Sequence, residues 1–140
     1  MTHHPNIPHR LLHVMIRVKD LDRSVAFYAD ALGMRELRRE DYPSGAFTLC
    51  FLGYDEEQDG TVIELTYNYG DKEYSHGSRF GHLAVAVEDV YAACGRLRQL
   101  GVKITREPGD MAFAPVNGQR EIIAFIQDPD GYSIELIQRS

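Results

Sequence analysis

One nine-residue pattern occurs twice in the chain and constrains its fold more than any other feature. His13 to Leu21 and His82 to Val90 both read His-x-x-(Ile/Val)-x-Val-x-Asp-(Leu/Val), and the tripeptide Ile-Glu-Leu follows each copy, around Glu64 and around Glu135. The His and the Glu are 51 residues apart in the first copy and 53 in the second. A unit of this size can barely bury a core of its own, so we expect the two copies to pair.

Each copy has the residue pattern of a βαβββ unit. Strand-like alternation follows each His, and in the first copy Asp20 or Asp22 can cap the helix that comes next. Gly33 and Gly101 end the two helices, the first of which we expect from Leu21 to Leu32. Three further strands follow in each copy, and the stretch Glu107 to Gln119 reads as irregular. The prediction is an α+β fold of two tandem βαβββ modules. Its expected segments are a flexible leader (1–10), a first module (11–68), a linker (69–79) and a second module (80–140).

Composition excludes several classes of protein. A net charge of -6 argues against a protein that binds nucleic-acid backbones. No apolar run approaches the roughly 20 residues that a membrane span needs, and the first ten residues lack the apolar centre of a signal peptide. Cys50 and Cys94 have no CxxC spacing, so neither a disulfide framework nor a thiolate metal site is indicated. We therefore expect a cytoplasmic protein with no nucleic-acid or membrane partner.

Four polar residues recur at matched positions of the two copies: His13, Glu64, His82 and Glu135. Alternation places each of them on the strand face opposite its apolar neighbours, where a lone carboxylate is costly unless it is paired or bound to a cation. One His or Glu in a strand is more often a surface residue or part of a salt bridge. The joint recurrence instead favours a divalent-metal site for zinc, nickel, cobalt, manganese or iron. Four ligands leave two open positions in an octahedral shell, which points to catalysis.

The chain resembles glyoxalase I (lactoylglutathione lyase) of the vicinal oxygen chelate superfamily. The residues that carry the resemblance extend over nearly all of Leu11 to Gln138. They are the segments 11–18, 27–34, 51–54, 62–68, 80–82 and 124–136, the last of which includes Asp-Pro-Asp-Gly before Glu135. The vicinal oxygen chelate (glyoxalase) fold that this implies is the tandem βαβββ arrangement.

The resemblance also implies an activity and a set of site residues. The family isomerises the hemithioacetal of methylglyoxal and glutathione to S-lactoylglutathione through a metal-bound enediolate, which detoxifies methylglyoxal. His13, Glu64, His82 and Glu135 match the family's metal ligands. Similar enzymes are homodimers with sites at the subunit interface, where the first His–Glu pair comes from one chain and the second from the other. Glu135 is then the catalytic base, and Glu64 is its counterpart for the other substrate epimer.

Substrate contacts follow by the same resemblance. Arg17 and Asn68 match residues that hold the γ-glutamyl end of glutathione, and Arg79 is a candidate contact for a substrate carboxylate or an exposed surface charge. Arg106 or Arg120 is a candidate for the glycyl carboxylate.

The metal and the reaction class leave alternatives. The short chain resembles the bacterial group activated by Ni²⁺ or Co²⁺, so Ni²⁺ is favoured with Zn²⁺ as the alternative, although the loop with Met111 and Phe113 is longer than in the shortest bacterial forms. That loop is a candidate lid, or is simply anchored to the surface. Another metalloenzyme of this architecture, such as an extradiol dioxygenase or an epimerase, and a non-catalytic binding module are the competing functions. A dioxygenase would leave Glu64 without a role, and a binding module would not need four inward ligands.

Overall fold

The computed structural model describes residues 4–140, which form two compact units. The first unit extends to Lys72 and the second runs from Glu73 to Ser140. Residues 1–3 of the predicted leader, which include His3, lie outside the described residues. At the end of the leader, Arg10 donates hydrogen bonds to the carbonyls of Glu57 and Gly60.

The first unit contains four strands, an α-helix, a π-helical turn and a 3₁₀ turn. These are β1 (His13–Arg17), α1 (Leu21–Ala26), the π-helical turn (Phe27–Ala31), β2 (Arg35–Tyr42), a 3₁₀ turn (Pro43–Gly45), β3 (Phe47–Gly53) and β4 (Val62–Asn68). The strands lie in the order β1-β4-β3-β2. The first strand pairs parallel with the last, and the other neighbours are antiparallel.

The second unit repeats this plan. Its elements are β5 (Leu83–Val87), α2 (Val90–Gln99), β6 (Lys103–Asp110), β7 (Ile122–Gln127) and β8 (Ser133–Gln138). The order is β5-β8-β7-β6, and β5 pairs parallel with β8 as β1 does with β4. The two sheets confirm the predicted α+β fold of two βαβββ modules.

Both α-helices begin directly after the aspartate of the repeated pattern, and Asp20, not Asp22, caps the first. Asp20 and Asp89 have nearly identical extended backbones, with φ/ψ of -137°/103° and -137°/104°, and each side chain accepts a hydrogen bond from the N–H three residues on. This is the N-cap geometry that satisfies an otherwise unpaired donor of the first turn.

The helix expected from Leu21 to Leu32 is present as far as Ala31, but its second half is π-helical and not α-helical. The α-helix ends at Ala26 and a π-helical turn follows, so the residue that enters the core is Ala31, 8% exposed, while Leu32 is only half-buried. A π-helical turn widens the helix by one residue and shifts every later side chain around the axis. Apolar spacing at a period of 3.6 cannot reveal it.

One expectation for the second unit also needs correction. β6 continues to Asp110, so the segment expected to be irregular from Glu107 is a strand over its first four residues. In α2, Leu100 is 53% exposed, and Cys94, 1% exposed, fills the core position together with Val90 and Leu97. The helix ends at Gln99, so Leu100 is past its last buried turn.

Each sheet has one buried face and one face that carries polar residues. In β4, Ile63 and Leu65 are buried and Glu64 lies on the opposite face; in β8, Ile134 and Leu136 are buried around Glu135. The alternation therefore places both carboxylates on the polar faces, as the sequence predicts. Among the residues that the structure describes, no helix is long and apolar enough to cross a membrane.

Candidate metal centre

Each unit brings one histidine and one glutamate into contact. The Nε2 of His13 lies 3.3 Å from the Oε1 of Glu64, and the Nε2 of His82 lies 3.1 Å from the Oε1 of Glu135. The exposed fractions of the side chains match as closely, at 37% and 40% for the imidazoles and 14% and 13% for the carboxylates. The two units thus contain equivalent His–Glu pairs, open to solvent on the histidine side.

The parallel pairing of first and last strand produces both contacts. Met15 is the register partner of Glu64, and Ala84 is the register partner of Glu135. Each histidine lies two residues before that partner, on the same face of the sheet, and therefore reaches the glutamate diagonally. A one-residue change of register would turn the glutamate into the core, so the buried face of each sheet fixes the pair.

The donor atoms of each pair fit a divalent metal. An ion with bonds of about 2.0–2.2 Å to imidazole nitrogen and carboxylate oxygen needs two neighbouring donors about 2.9–3.4 Å apart, and both observed separations lie in that range. Imidazole and carboxylate together suit zinc, nickel, cobalt, manganese or iron. The same distances also suit a hydrogen bond, and the His82–Glu135 contact has that geometry.

Each unit holds two of the four predicted ligands. Within residues 4–140, no group of three or more His, Cys, Asp or Glu side chains is arranged to hold a metal. A complete four-ligand site therefore needs two such pairs to meet.

An aromatic ring supports each histidine, and the sequence did not single these rings out. His13 meets the ring of Phe51 edge to face with centroids 5.6 Å apart, and His82 meets Phe125 in the same way at 5.1 Å. Phe51 is the register partner of Glu64, and Phe125 is that of Glu135. The two rings occupy equivalent places in the two sheets. Only the strand register shows this, because it determines which side chain lies beside each glutamate.

The arginines next to these rings differ between the units. Arg38 is the register partner of Phe51, and its guanidinium carbon lies 3.8 Å above the centre of that ring. Its hydrogen bonds and charge lower the pKa of Glu57, with a smaller contribution from His13. Arg106 is the register partner of Phe125 but donates instead to backbone carbonyls, including those of Gly109 and Ile123.

The guanidinium of Arg106 is therefore hydrogen-bonded to the backbone of its own sheet. Its four hydrogen bonds to carbonyls lie where the register of β6 with β7 is irregular, on both sides of Arg106. This structural use argues against Arg106 as the contact for the glycyl carboxylate.

The predicted contacts of the γ-glutamyl group lie on the polar face of the first sheet. Arg17 ends β1, exposed, and Asn68 ends β4, half-buried. Each is four residues beyond its predicted ligand, His13 or Glu64, which corresponds to about 13 Å along a strand. Arg79 is exposed in a turn three residues before His82.

The loop after β6 surrounds a cavity of about 680 Å³ in the second unit. Met111 is half-buried, and its carbonyl accepts a hydrogen bond of 3.3 Å from Arg120. Phe113, also at this cavity, is 82% exposed. Arg120 remains available as a candidate for the glycyl carboxylate, and Phe113 as a candidate lid residue.

Comparisons with known proteins agree with this geometry. The family model of the Glyoxalase/Bleomycin resistance protein/Dioxygenase superfamily matches residues 10–136. A probable lactoylglutathione lyase of Synechocystis sp. is 55% identical over 130 residues, which cover 93% of this chain and 95% of that protein. The lactoylglutathione lyase of Haemophilus influenzae is 50% identical over 129 residues and 92% of both chains.

Solved structures give the same relationship. Glyoxalase I from Zea mays superposes with a TM-score of 0.83 at 47% identity, over 94% of this chain and 45% of the maize chain, so this chain spans less than half of that protein. The trypanothione-dependent glyoxalase I of Leishmania major gives a TM-score of 0.78 at 46% identity, over 94% of this chain and 87% of that one. The chain belongs to the Glyoxalase/Bleomycin resistance protein/Dioxygenase superfamily and, within it, to the glyoxalase I (lactoylglutathione lyase) enzymes.

Proposed function

We propose that this lactoylglutathione lyase converts the hemithioacetal of methylglyoxal and glutathione to S-lactoylglutathione at a centre built from His13, Glu64, His82 and Glu135. The observation that carries the proposal is the pair of equivalent His–Glu contacts, at 3.3 and 3.1 Å, on the polar faces of the two sheets. The relatives named lactoylglutathione lyase, at 50–55% identity, support the reaction.

A divalent ion held by these residues would act as a Lewis acid that stabilises negative charge on the two neighbouring substrate oxygens. The donor set favours Ni²⁺ or Co²⁺ no more than Zn²⁺, since all three bind imidazole and carboxylate. We propose Ni²⁺ because the chain resembles the bacterial group activated by Ni²⁺ or Co²⁺ and is 50% identical to the bacterial lactoylglutathione lyase of Haemophilus influenzae.

Glu135 is the proposed base. It removes the proton from the substrate carbon that bears the thioether and the hydroxyl, and it returns that proton to the adjacent carbonyl carbon. The proton of that hydroxyl must in addition pass to the former carbonyl oxygen, so the isomerisation moves two protons while no atom is gained or lost. Its side chain is 13% exposed, which limits exchange of the abstracted proton with water. Glu64, 14% exposed, is the proposed counterpart for the opposite epimer.

Substrate orientation is assigned to residues at the far end of the polar face. Arg17 and Asn68, about 13 Å along their strands from the first His–Glu pair, are proposed to hold the γ-glutamyl group of glutathione. Arg79, exposed before His82, is proposed to contact a substrate carboxylate. The Leishmania major relative is named as trypanothione-dependent, so the assay of this chain includes trypanothione as well as glutathione.

The complete site is proposed to form in a homodimer, where His13 and Glu64 of one chain meet His82 and Glu135 of a second. Each described unit supplies one His–Glu pair, so the proposed site needs one pair of each kind. The resemblance to homodimeric glyoxalase I enzymes supports taking the two pairs from different chains. We place the enzyme in the cytoplasm because both cysteines are free thiols, as is usual in a reducing compartment.

Metal removal and replacement test the proposal. The protein is stripped with a chelator, loaded separately with Ni²⁺, Co²⁺ or Zn²⁺, and assayed for S-lactoylglutathione from the glutathione hemithioacetal and for the corresponding product from trypanothione. We expect no turnover in the stripped protein and recovery that is highest with Ni²⁺. Absence of turnover with every metal and both thiols would exclude the proposed reaction.

A further inference from the structure

We propose that Arg38 is a positioning residue that braces the His13–Glu64 pair through the ring of Phe51, and that the second pair has no such brace. The inference rests on the proposed metal centre, and it concerns how firmly each half of that centre is held before an ion binds.

The brace is a row of side chains across three adjacent strands. Arg38 in β2 faces Phe51 in β3, and Phe51 faces Glu64 in β4. The guanidinium lies 3.8 Å above the ring centre, and the ring in turn meets the imidazole of His13 edge to face. Phe51 is 2% exposed, so its ring is enclosed on all sides. A displacement of the ring would therefore move the imidazole.

The guanidinium is itself held from the solvent side. Its Nε and Nη2 donate to the two carboxylate oxygens of Glu57 at 2.6 and 3.1 Å, and Nη1 donates to Glu40. A bidentate contact of this kind fixes the plane of a guanidinium, which is the plane that lies over the phenyl ring. Arg10 secures the loop that carries Glu57 by bonding to the carbonyl of that residue at 2.8 Å.

The second unit lacks this arrangement at the same place. Arg106 faces Phe125 in the register, but its guanidinium donates to backbone carbonyls. Phe125 is only half-buried, and the residue beside Glu135 in β5 is Ala84, where the first unit has Met15. The His82–Glu135 pair is exposed to the same extent as the first pair, but no guanidinium stacks on the ring behind it. A firm first pair and a freer second pair suit a mechanism in which Glu135 is the carboxylate that moves.

Titration with Co²⁺, followed by its visible absorption, tests the proposal without reference to turnover. Arg38→Gln removes both the charge and the planar guanidinium that binds both oxygens of Glu57. Arg38→Lys keeps the charge but has no planar group. Both should lower Co²⁺ affinity by roughly 10-fold, the lower end of the usual effect of residues that support metal ligands. Arg35→Gln is the matched control, because Arg35 lies on the same strand in an exposed salt bridge with Glu56 and should leave the affinity within twofold.

The melting temperature of the metal-free protein separates positioning from general stability. The melting temperature should change by the same small amount in the Arg38 and Arg35 variants. If Arg38→Gln fails to fold, Glu57→Gln releases the guanidinium while leaving Arg38 and Phe51 in place, and should lower the affinity in the same direction. The double variant Arg38→Gln/Phe51→Leu should lose less Co²⁺ affinity than the sum of the two single losses, because both substitutions interrupt the same row of side chains.

Distinct results overturn the inference and the proposed function. Wild-type affinity in both Arg38 variants, or an equal loss in Arg35→Gln, overturns the role of Arg38 and leaves the metal centre intact. A wild-type chain that binds no Co²⁺ overturns the metal centre and the brace together.

Discussion

The Oδ1 of Asp128 accepts a hydrogen bond of 2.9 Å from the backbone N–H of Tyr132, four residues later. The same oxygen accepts a second bond of 2.9 Å from the N–H of Asp130, and Gly131 turns the chain between them with a φ of +87°. Asp128 is 6% exposed, so water cannot replace these bonds. This carboxylate therefore sets the point at which β8 begins, at Ser133, two residues before Glu135.

Replacement of Asp128 should destabilise the second unit. Asp128→Ala leaves two backbone N–H groups without this acceptor, and we expect a loss of about 2 kcal/mol in the free energy of unfolding. Asp128→Asn keeps an oxygen at the same place and should lose less. Urea denaturation of the two variants measures the difference, and equal stability of Asp128→Ala and wild type would contradict the assigned role.

Glu135→Gln should abolish turnover without unfolding the chain. The amide keeps the size of the carboxylate but cannot accept the substrate proton, and loss of a general base costs about 10²–10⁴-fold in rate. The production rate of S-lactoylglutathione and the far-ultraviolet circular dichroism are compared with wild type. Glu121→Gln is the control, because Glu121 is an exposed partner of Arg139. Near-normal turnover in Glu135→Gln would remove this residue from the proposed mechanism.

Mixtures of two inactive variants should recover activity if the site is shared between chains. His13→Ala and His82→Ala each damage every site of a homodimer, whereas a mixed dimer contains one site with all four ligands intact. Free exchange should restore about a quarter of wild-type activity, since half of the dimers are mixed and half of their sites are complete. A site formed within one chain predicts no recovery on mixing.

Cys50 should be inert in the folded protein. It is 0% exposed, and burial raises the pKa of its thiol to about 11. A thiol reagent should therefore modify Cys50 in denaturant but not in native protein at about pH 8. Rapid labelling of the native chain would show that the side chain is accessible.

The raised pKa of Cys50 also gives a pH dependence of stability. The neutral thiol is favoured in the folded state, so its contribution is fully present below the ordinary pKa of 9.0 and is lost as the pH rises through about 11. Between about pH 8 and pH 11, the free energy of unfolding of wild type should therefore fall relative to that of Cys50→Ala. Thermal melts across this range measure it, and a constant difference would contradict the buried thiol.

The fold was predictable because its main features are local or repeated. The alternation around Glu64 and Glu135 determines which strand face is buried, and the aspartates before each helix are visible in the repeat. The structure brings each predicted His–Glu pair together, while their role as ligands remains a prediction. The π-helical turn at Phe27–Ala31 was not predictable, because it changes the helical period without changing the residue types.

Side-chain contacts between neighbouring strands could not be predicted from the sequence, for a different reason. The stacking of Arg38 on Phe51 depends on the register of two antiparallel strands and on an irregularity between Glu36 and Arg38. Arg106 occupies the corresponding place in the second unit and makes different contacts, so residue type and position together do not determine the role of an arginine here.

The parallel pairing of first and last strand has a consequence for how the protein folds. Because the histidine and the glutamate of each pair come from the two ends of their unit, any ion that binds both closes a loop of about 50 residues, and closing so long a loop is an entropic cost of folding. Such an ion acts as a reversible cross-link between the ends of a unit. Metal supply would then govern the persistence of the folded chain in the cell as well as its chemistry.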